Sequence, residues 1–261
     1  MATVLPVYLA QGRTSMLAER RPSPRPTTDS LRPALLPLLA ALRPLPQMTV
    51  VVGTETSGNP LLLNLANPAT WHLYVCGPER CGKSELLRVA VVGLGLGNPA
   101  QELRLVGVDL GGRELTVLEG LPHALADVAT GPVEASRLLM WLGDEAERRA
   151  CGTGAPDHIV LVVDDLGVLR ALESASTMLD HLAAAGLRSR IHILAAGRGP
   201  GERGQSELPR WPGLVHAFAG FETGTFTFDA GDEVVTSRVA RLGVADLHAA
   251  ARITWARAGG A

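Results

Sequence analysis

The sequence predicts an α/β fold with a mainly parallel central sheet flanked by helices. Short runs rich in Val, Ile and Leu alternate with helical segments between Met48 and Ala196, and that alternation marks βαβ units. Hydrophobic residues make up 46% of the chain but aromatics only 4%, so the core is aliphatic, as expected for a sheet covered on both faces. A chain of 261 residues is long enough for one such domain with modest appendages.

Two units are expected: a Pro/Arg-rich N-terminal arm over 1–47 and an α/β domain over 48–261. In the arm, Arg20-Arg21-Pro22-Ser23-Pro24-Arg25-Pro26 reads as an extended, exposed linker. Leu31, Leu35, Leu38, Leu39 and Leu42 then fall near helical spacing and predict a short helix after Asp29, ended by Pro44 and Pro46. Met48–Gly53 and Leu61–Leu65 predict a hairpin around Ser57-Gly58-Asn59-Pro60. Strands are expected at Trp71–Cys76, Leu103–Asp109, His158–Val163 and Ile191–Ala196. Helices are expected at Lys83–Leu94, Val133–Arg149 and Ala175–Leu187. Gly197–Pro212 reads as a long polar loop, and two more strands are expected near Gly224–Phe228 and Ala251–Trp255.

Net charge is −2, so composition alone does not mark a polyanion binder. The charge is uneven: residues 1–48 carry about +4 and the remainder about −6. Three cysteines, Cys76, Cys81 and Cys151, cannot pair completely and lack metal-ligand spacing, which argues for a reducing compartment. The N-terminus has no cationic-then-apolar leader pattern, and the most apolar stretch, Pro33–Leu42, is short and contains Pro37. The expectation is a cytoplasmic protein, brought to a membrane only through a partner.

Of the 24 cationic side chains, only Lys83 is a lysine. A position that stays Lys where all others are Arg calls for a compact ammonium rather than a planar fork. Lys83 lies within Gly77-Pro78-Glu79-Arg80-Cys81-Gly82-Lys83-Ser84, which satisfies G-x-x-x-x-G-K-[ST] at every fixed position, after an apolar strand and before a helix. Glycines let the backbone amides turn inward around phosphates, and the helix N-terminus adds its dipole. In such a loop Lys83 reaches the β- and γ-phosphates and the Ser84 hydroxyl ligates Mg²⁺. The expected ligands are ATP and Mg²⁺, and the expected fold is a RecA-like P-loop NTPase.

About 80 residues on, Ile159-Val160-Leu161-Val162-Val163-Asp164-Asp165 is an apolar strand ending in acids, the Walker B pattern. Asp164 would hold Mg²⁺ through water, and Asp165 would orient the attacking water. Lys83, Asp164 and Asp165 are the expected catalytic residues, and Ser84 and Asp164 the expected metal contacts. Asp109 ends its strand at the edge where ligands bind in such sheets, either near Mg²⁺-bound water or as a cap for the next turn. His123 and His192 lie in apolar surroundings and read as satisfied core histidines. Cys81 reads as an inert filler within the loop.

The ordered motifs resemble the FtsK/SpoIIIE family of ring ATPases, including the EccC-type motors of type VII secretion, over about residues 48–256. Beyond the phosphate loop, Val108-Asp109-Leu110-Gly111-Gly112 and Leu118-Glu119-Gly120-Leu121-Pro122-His123 are similar to the family's strand-end Asp and "EG-(I/L)-PH" segment. Glu145, Arg148 and Arg149 echo its "E-x-x-R" helix. Gly167-Val168-Leu169-Arg170 is more EccC-like than FtsK-like, and Ile191-His192-Ile193-Leu194 matches the "IHL" strand. The resemblance implies ATP-driven movement of a polymer through a homo-oligomeric ring, a hexamer, or an assembly with a partner ATPase. The polymer would be duplex DNA, or alternatively a secreted protein; a third reading is a regulatory or assembly module that binds ATP and hardly turns over. Two departures matter. The family ends Walker B in Asp-Glu where this chain has Asp164-Asp165. Its Thr-Gln-Arg-Pro-like sensor is replaced by Gly197-Arg198-Gly199-Pro200, with Arg198 at the Gln position. Arg198, Arg203 and Arg238 are candidate arginine fingers, and Arg198, Arg203 and Arg210 candidate DNA-phosphate contacts. The plain alternative for that loop is a solvated surface.

Overall fold

In the computed structural model of the chain, residues 32–112, 114–152, 157–199 and 208–259 are described. The Arg20–Pro26 stretch and Arg203 lie outside them. Among the described residues nine strands form one sheet: β1 (Thr49–Glu55), β2 (Pro60–Asn64), β3 (His72–Cys76), β4 (Leu103–Asp109), β5 (His158–Asp164), β6 (Ile191–Gly197), β7 (Leu214–Ala219), β8 (Thr225–Asp229) and β9 (Val234–Val239). The helices are α1 (Leu35–Leu42), α2 (Lys83–Gly97), α3 (Pro132–Cys151), α4 (Leu166–Arg170), α5 (Ala175–Ser189) and α6 (Val244–Ala258).

The strand order is β2-β1-β9-β8-β7-β3-β6-β5-β4. From β7 to β4 every neighbouring pair is parallel; from β2 to β7 every pair is antiparallel. The expected parallel sheet is therefore the half that carries the motifs. The other half is antiparallel because its strands β1–β2, β7–β8 and β8–β9 follow one another through short turns, which cannot reverse into parallel pairing.

Strand β5 shows why the parallel strands read as unbroken apolar runs. Val160 and Val162 point into a core shared with Leu86, Leu87, Val91 and Leu94 of α2. Ile159, Leu161 and Val163 point the other way, into a core shared with Leu139 and Leu142 of α3 and Leu179 and Leu182 of α5. Alternate side chains face opposite sides, and here both sides are buried.

The segment 32–42 packs on the first of these cores through Leu35 and Leu39 of α1. Ahead of it, buried Arg32 donates to the Val239 and Ala240 carbonyls at 2.8 and 3.3 Å and pairs with Glu85 at 2.8 Å. The Arg32 guanidinium thus ties the residues just before α1 to β9 and to the first turn of α2.

The region 251–255, expected as a strand, is the C-terminal part of α6. The Asp246 carboxylate accepts the Gly243 amide at 2.9 Å and Ala250 and Thr254 are buried one turn apart, the spacing of a helix face rather than of a strand.

The start of the parallel strands holds a histidine cluster. His158 and His192 share a hydrogen bond of 2.8 Å, and His192 also meets the Trp71 carbonyl at 3.0 Å and stacks on the Trp71 ring. His72 accepts the Ile193 amide at 3.0 Å. Burial drives the pKa of His72 down to about 4. Burial, followed by the Arg190 and Arg149 charges, does the same to His158, also to about 4, and burial pushes His192 well below its usual value. These folded-state values lie below the unfolded value, so the unfolded chain binds more protons between about pH 6.5 and pH 4. Stability is therefore complete above about pH 6.5 and is lost as pH falls through that window. A thermal-melt series from pH 7.5 to 4.5 is expected to show Tm falling by several degrees, and a His72→Gln, His158→Gln, His192→Gln variant is expected to show a flatter profile.

Candidate nucleotide-binding site

Strand β3, between β7 and β6 in the parallel half, runs directly into the loop 77–82, and the loop runs directly into α2. Gly82 sits at φ +104° as the residue before the helix, a left-handed conformation that favours glycine. A side chain there would also press on Gly224, whose backbone nitrogen is 3.2 Å from the position a Cβ would take. A side chain on Gly77 would collide with Ala219. The loop is thus braced from the β7–β8 side, where the Gly224 amide donates to the Cys81 carbonyl at 2.9 Å. Cys81 is buried in that brace, consistent with a packing role. Pro78, Glu79 and Arg80 form the exposed crest.

Lys83 donates to the carbonyls of Gly77 at 2.9 Å and Pro78 at 2.7 Å, so its ammonium lies within the curve of the loop. The Ser84 hydroxyl lies 3.2 Å from each carboxylate oxygen of Asp164. Phosphate loop and Walker B, 80 residues apart in sequence, therefore converge. Burial raises the Asp164 pKa, with Asp109, Glu114 and Asp165 adding like charge and the Ser84 hydrogen bond opposing them. Among the described residues no group of three or more His, Cys, Asp and Glu forms a metal cage. One hydroxyl beside one carboxylate instead fits the donor set of Mg²⁺, which keeps water and phosphate oxygens as its other ligands.

Other expected residues take structural positions. Asp165, at φ +61°, precedes α4, and its carboxylate accepts the Val168 amide at 3.2 Å, so it caps that helix. Asp109 accepts the amides of Glu114 at 2.7 Å and Leu115 at 3.2 Å, shaping the turn after β4. His123 is buried against the Asn98 carbonyl at 2.9 Å. Glu145 pairs with Arg148 and Arg149, which hold its carboxyl at about 2. Buried Arg149 also reaches Asp157 and the Ser189 carbonyl, locking α3 to the ends of β5 and α5. Arg238 lies on β9, 3.9 Å from Glu222, and Arg210 is exposed beside buried Trp211. One relation escapes the sequence: Arg198, just past β6, pairs with Glu79 on the crest of the loop at 3.1 Å.

A braced glycine loop at the tip of a parallel strand, with Lys83 inside it and Ser84 on Asp164, defines a P-loop NTPase domain. The comparisons narrow the class. The model of the FtsK/SpoIIIE family matches residues 41–153, and the resemblance to that family is borne out over those residues. The match contains the whole phosphate loop and ends before Asp164. The DNA translocase FtsK of Shewanella oneidensis is 35% identical over 102 residues, which is 39% of this chain and 11% of that protein. A Tropheryma whipplei protein of the same name is also 35% identical, over 39% of this chain and 14% of its own length. The chain thus spans about a tenth of the length of these relatives. Among solved structures, ATPases 2 and 3 of Thermomonospora curvata EccC, in complex with a signal sequence peptide, superpose with a TM-score of 0.64 at 19% identity, covering 76% of this chain and 41% of that one. The monomer form of the pCW3 conjugation coupling protein TcpA with ATPgS gives 0.66 at 19% identity, covering 81% and 71%. These likenesses establish the fold.

Proposed function

We propose that the chain is an ATP-binding motor domain of the FtsK/SpoIIIE type that couples ATP hydrolysis to movement of a polymer. The observation that carries this reading is the convergence of Lys83, Ser84 and Asp164 on one phosphate loop. Gly77–Ser84 binds the triphosphate. Lys83 neutralises its β- and γ-oxygens, and Ser84 with Asp164 holds Mg²⁺. Mg²⁺ draws charge from the phosphates when bound. Duplex DNA is the polymer favoured by the relatives named DNA translocases; a protein cargo would place the chain with the EccC motors. The odd number of cysteines, three, supports a cytoplasmic setting, and no described helix is long and apolar enough to cross a membrane.

A second reading has its own observation. Asp165 is engaged in capping α4, which takes it away from orienting water and favours a domain that binds ATP but turns over slowly.

Motor action requires a ring. A P-loop on the edge of such a sheet is completed by an arginine from a neighbouring subunit, so a homo-oligomer, a hexamer, or a partner ATPase must supply it. Light scattering with a non-hydrolysable ATP analogue is expected to show nucleotide-promoted self-association, and DNA binding is expected to fall steeply between 50 and 200 mM salt. A strict monomer at all concentrations, with no co-purifying ATPase, would leave the slow ATP-binding module as the better account.

A further inference from the structure

The brace behind the phosphate loop rests on Arg32, a residue that lies before α1. Gly224 carries the brace: its amide donates to the Cys81 carbonyl at 2.9 Å, and its own carbonyl accepts the Val239 amide at 2.8 Å. Gly224 sits at φ +76°, a left-handed conformation that favours glycine. Buried Arg32 fills the space over it. A Cβ added to Gly224 would come within 2.9 Å of the Arg32 Cζ and 3.1 Å of its Nε. The same guanidinium donates to the Val239 carbonyl at 2.8 Å and pairs with Glu85 at 2.8 Å. Glu85 follows Ser84 in the first turn of α2.

Arg32 therefore bears on the loop from two directions, through Gly224 onto Cys81 and through Glu85 onto the start of α2. Its own backbone is fixed nearby. The Arg241 amide donates to the Pro33 carbonyl at 2.7 Å, and the Leu35 amide donates to the Arg241 carbonyl at 3.0 Å. A planar guanidinium can satisfy acceptors in several fixed directions at once, which a compact ammonium or an apolar side chain does not do. A glycine-bearing loop has many accessible conformations, and phosphate binding needs the one with its amides turned inward. Apparent affinity scales with the fraction of molecules already in that conformation, so a residue that props the loop from behind raises affinity without touching the ligand.

We infer that Arg32 is a positioning residue for the phosphate loop, acting through Gly224 and Glu85, so that the seating of residues 32–35 and the binding of nucleotide favour each other. The inference rests on the P-loop reading of the site and adds a residue outside the motif that sets its affinity. Because Arg32 shapes the loop as a whole, it acts on ATP and ADP alike.

The test combines calorimetry in Mg²⁺ with amide hydrogen exchange on the full chain. Arg32→Met keeps the bulk of the stem and removes the fork. It is expected to lower ATP and ADP affinity about 10-fold each, as when the competent fraction of the loop falls to about a tenth. Arg149→Met removes a buried arginine that joins α3 to the ends of β5 and α5. It is expected to lower Tm but to leave both affinities within about twofold of wild type. Linkage is reciprocal, so saturating ADP is expected to slow exchange of the Leu35 and Arg241 amides about 10-fold in the wild-type chain. Unchanged affinities in folded Arg32→Met, with Lys83→Ala still losing both nucleotides, overturn the inference and leave the P-loop reading standing. An equal loss in Arg149→Met also overturns it, since any destabilised core would then do the same. If Arg32→Met does not fold, the wild-type exchange decides: no slowing at Leu35 and Arg241 under saturating ADP overturns the inference. Failure of the wild-type chain to bind either nucleotide overturns the P-loop reading and the inference together.

Discussion

Lys83→Ala is expected to weaken ATP binding by at least about 100-fold without unfolding the domain. Lys83 is the chain's only lysine, and its ammonium donates to two carbonyls inside the loop, where the proposed site would receive the β- and γ-oxygens. A hydrogen bond to a charged group contributes about 1.5–3 kcal/mol. Two of them, from one ammonium to phosphate oxygens, correspond to a loss of about 10²–10⁴ in affinity. The side chain lies in the partly exposed loop rather than in either core, so Tm is expected to stay within a few degrees of wild type. Competition against a fluorescent ATP analogue gives the affinity, and a thermal melt of the same sample gives the control. A folded Lys83→Ala protein with unchanged affinity would remove the site assignment.

The wild-type chain on its own is expected to hydrolyse ATP slowly, at about 10⁻³–10⁻¹ per second. An ordinary turnover is about 10 per second, and positioning of the attacking water by a general base contributes about 10²–10⁴-fold. Here the residue after Asp164 is an aspartate, one methylene shorter than the family's glutamate, and its carboxylate is bound to the Val168 amide. Asp165→Glu lengthens the side chain at the same backbone position and is expected to raise turnover about 10-fold. It also loosens the cap on α4, so Tm is expected to fall slightly, since a lost N-cap costs about 1 kcal/mol. Steady-state phosphate release reads the first effect. A wild-type rate already at tens per second would show that Asp165 is well placed as it stands.

Much of the parallel half was legible in the sequence. The runs at 103–109, 158–164 and 191–197 are strands buried on both faces, so each reads as a continuous apolar block. The phosphate loop was legible because its glycines and Lys83 answer to backbone geometry and charge, which the local sequence displays. The antiparallel half was less visible. Strand β7 (LVHAFA) buries Val215 and Ala217 while His216 is only partly covered, too weak an alternation to stand out after a polar loop. Strand β9 contains Thr236, Ser237 and Arg238, and the Ser237 hydroxyl is satisfied across the sheet by the Thr54 carbonyl at 3.1 Å. That partner lies 183 residues away, and no local pattern announces it. The Ala251–Trp255 segment looked like a strand because Ile253, Thr254 and Trp255 favour sheets. The alanine-rich turn before them and the Asp246 cap override that preference.

The same limit applies at the site. The two motifs pair Ser84 and Asp164 as metal contacts, but their 3.2 Å separation is a product of the fold. The role of Asp165 in capping α4 and the reach of Arg198 to Glu79 depend on backbone placement that residue identity does not encode.

Calorimetric titration of the wild-type chain with ATP, with and without Mg²⁺, tests the central claim most directly. The account predicts saturable binding of one ATP per chain in the presence of Mg²⁺, and clearly weaker binding when Mg²⁺ is withheld, because Ser84 and Asp164 then lose the ion that links them to the phosphates. Absence of any saturable ATP binding by the folded chain in Mg²⁺ would contradict it.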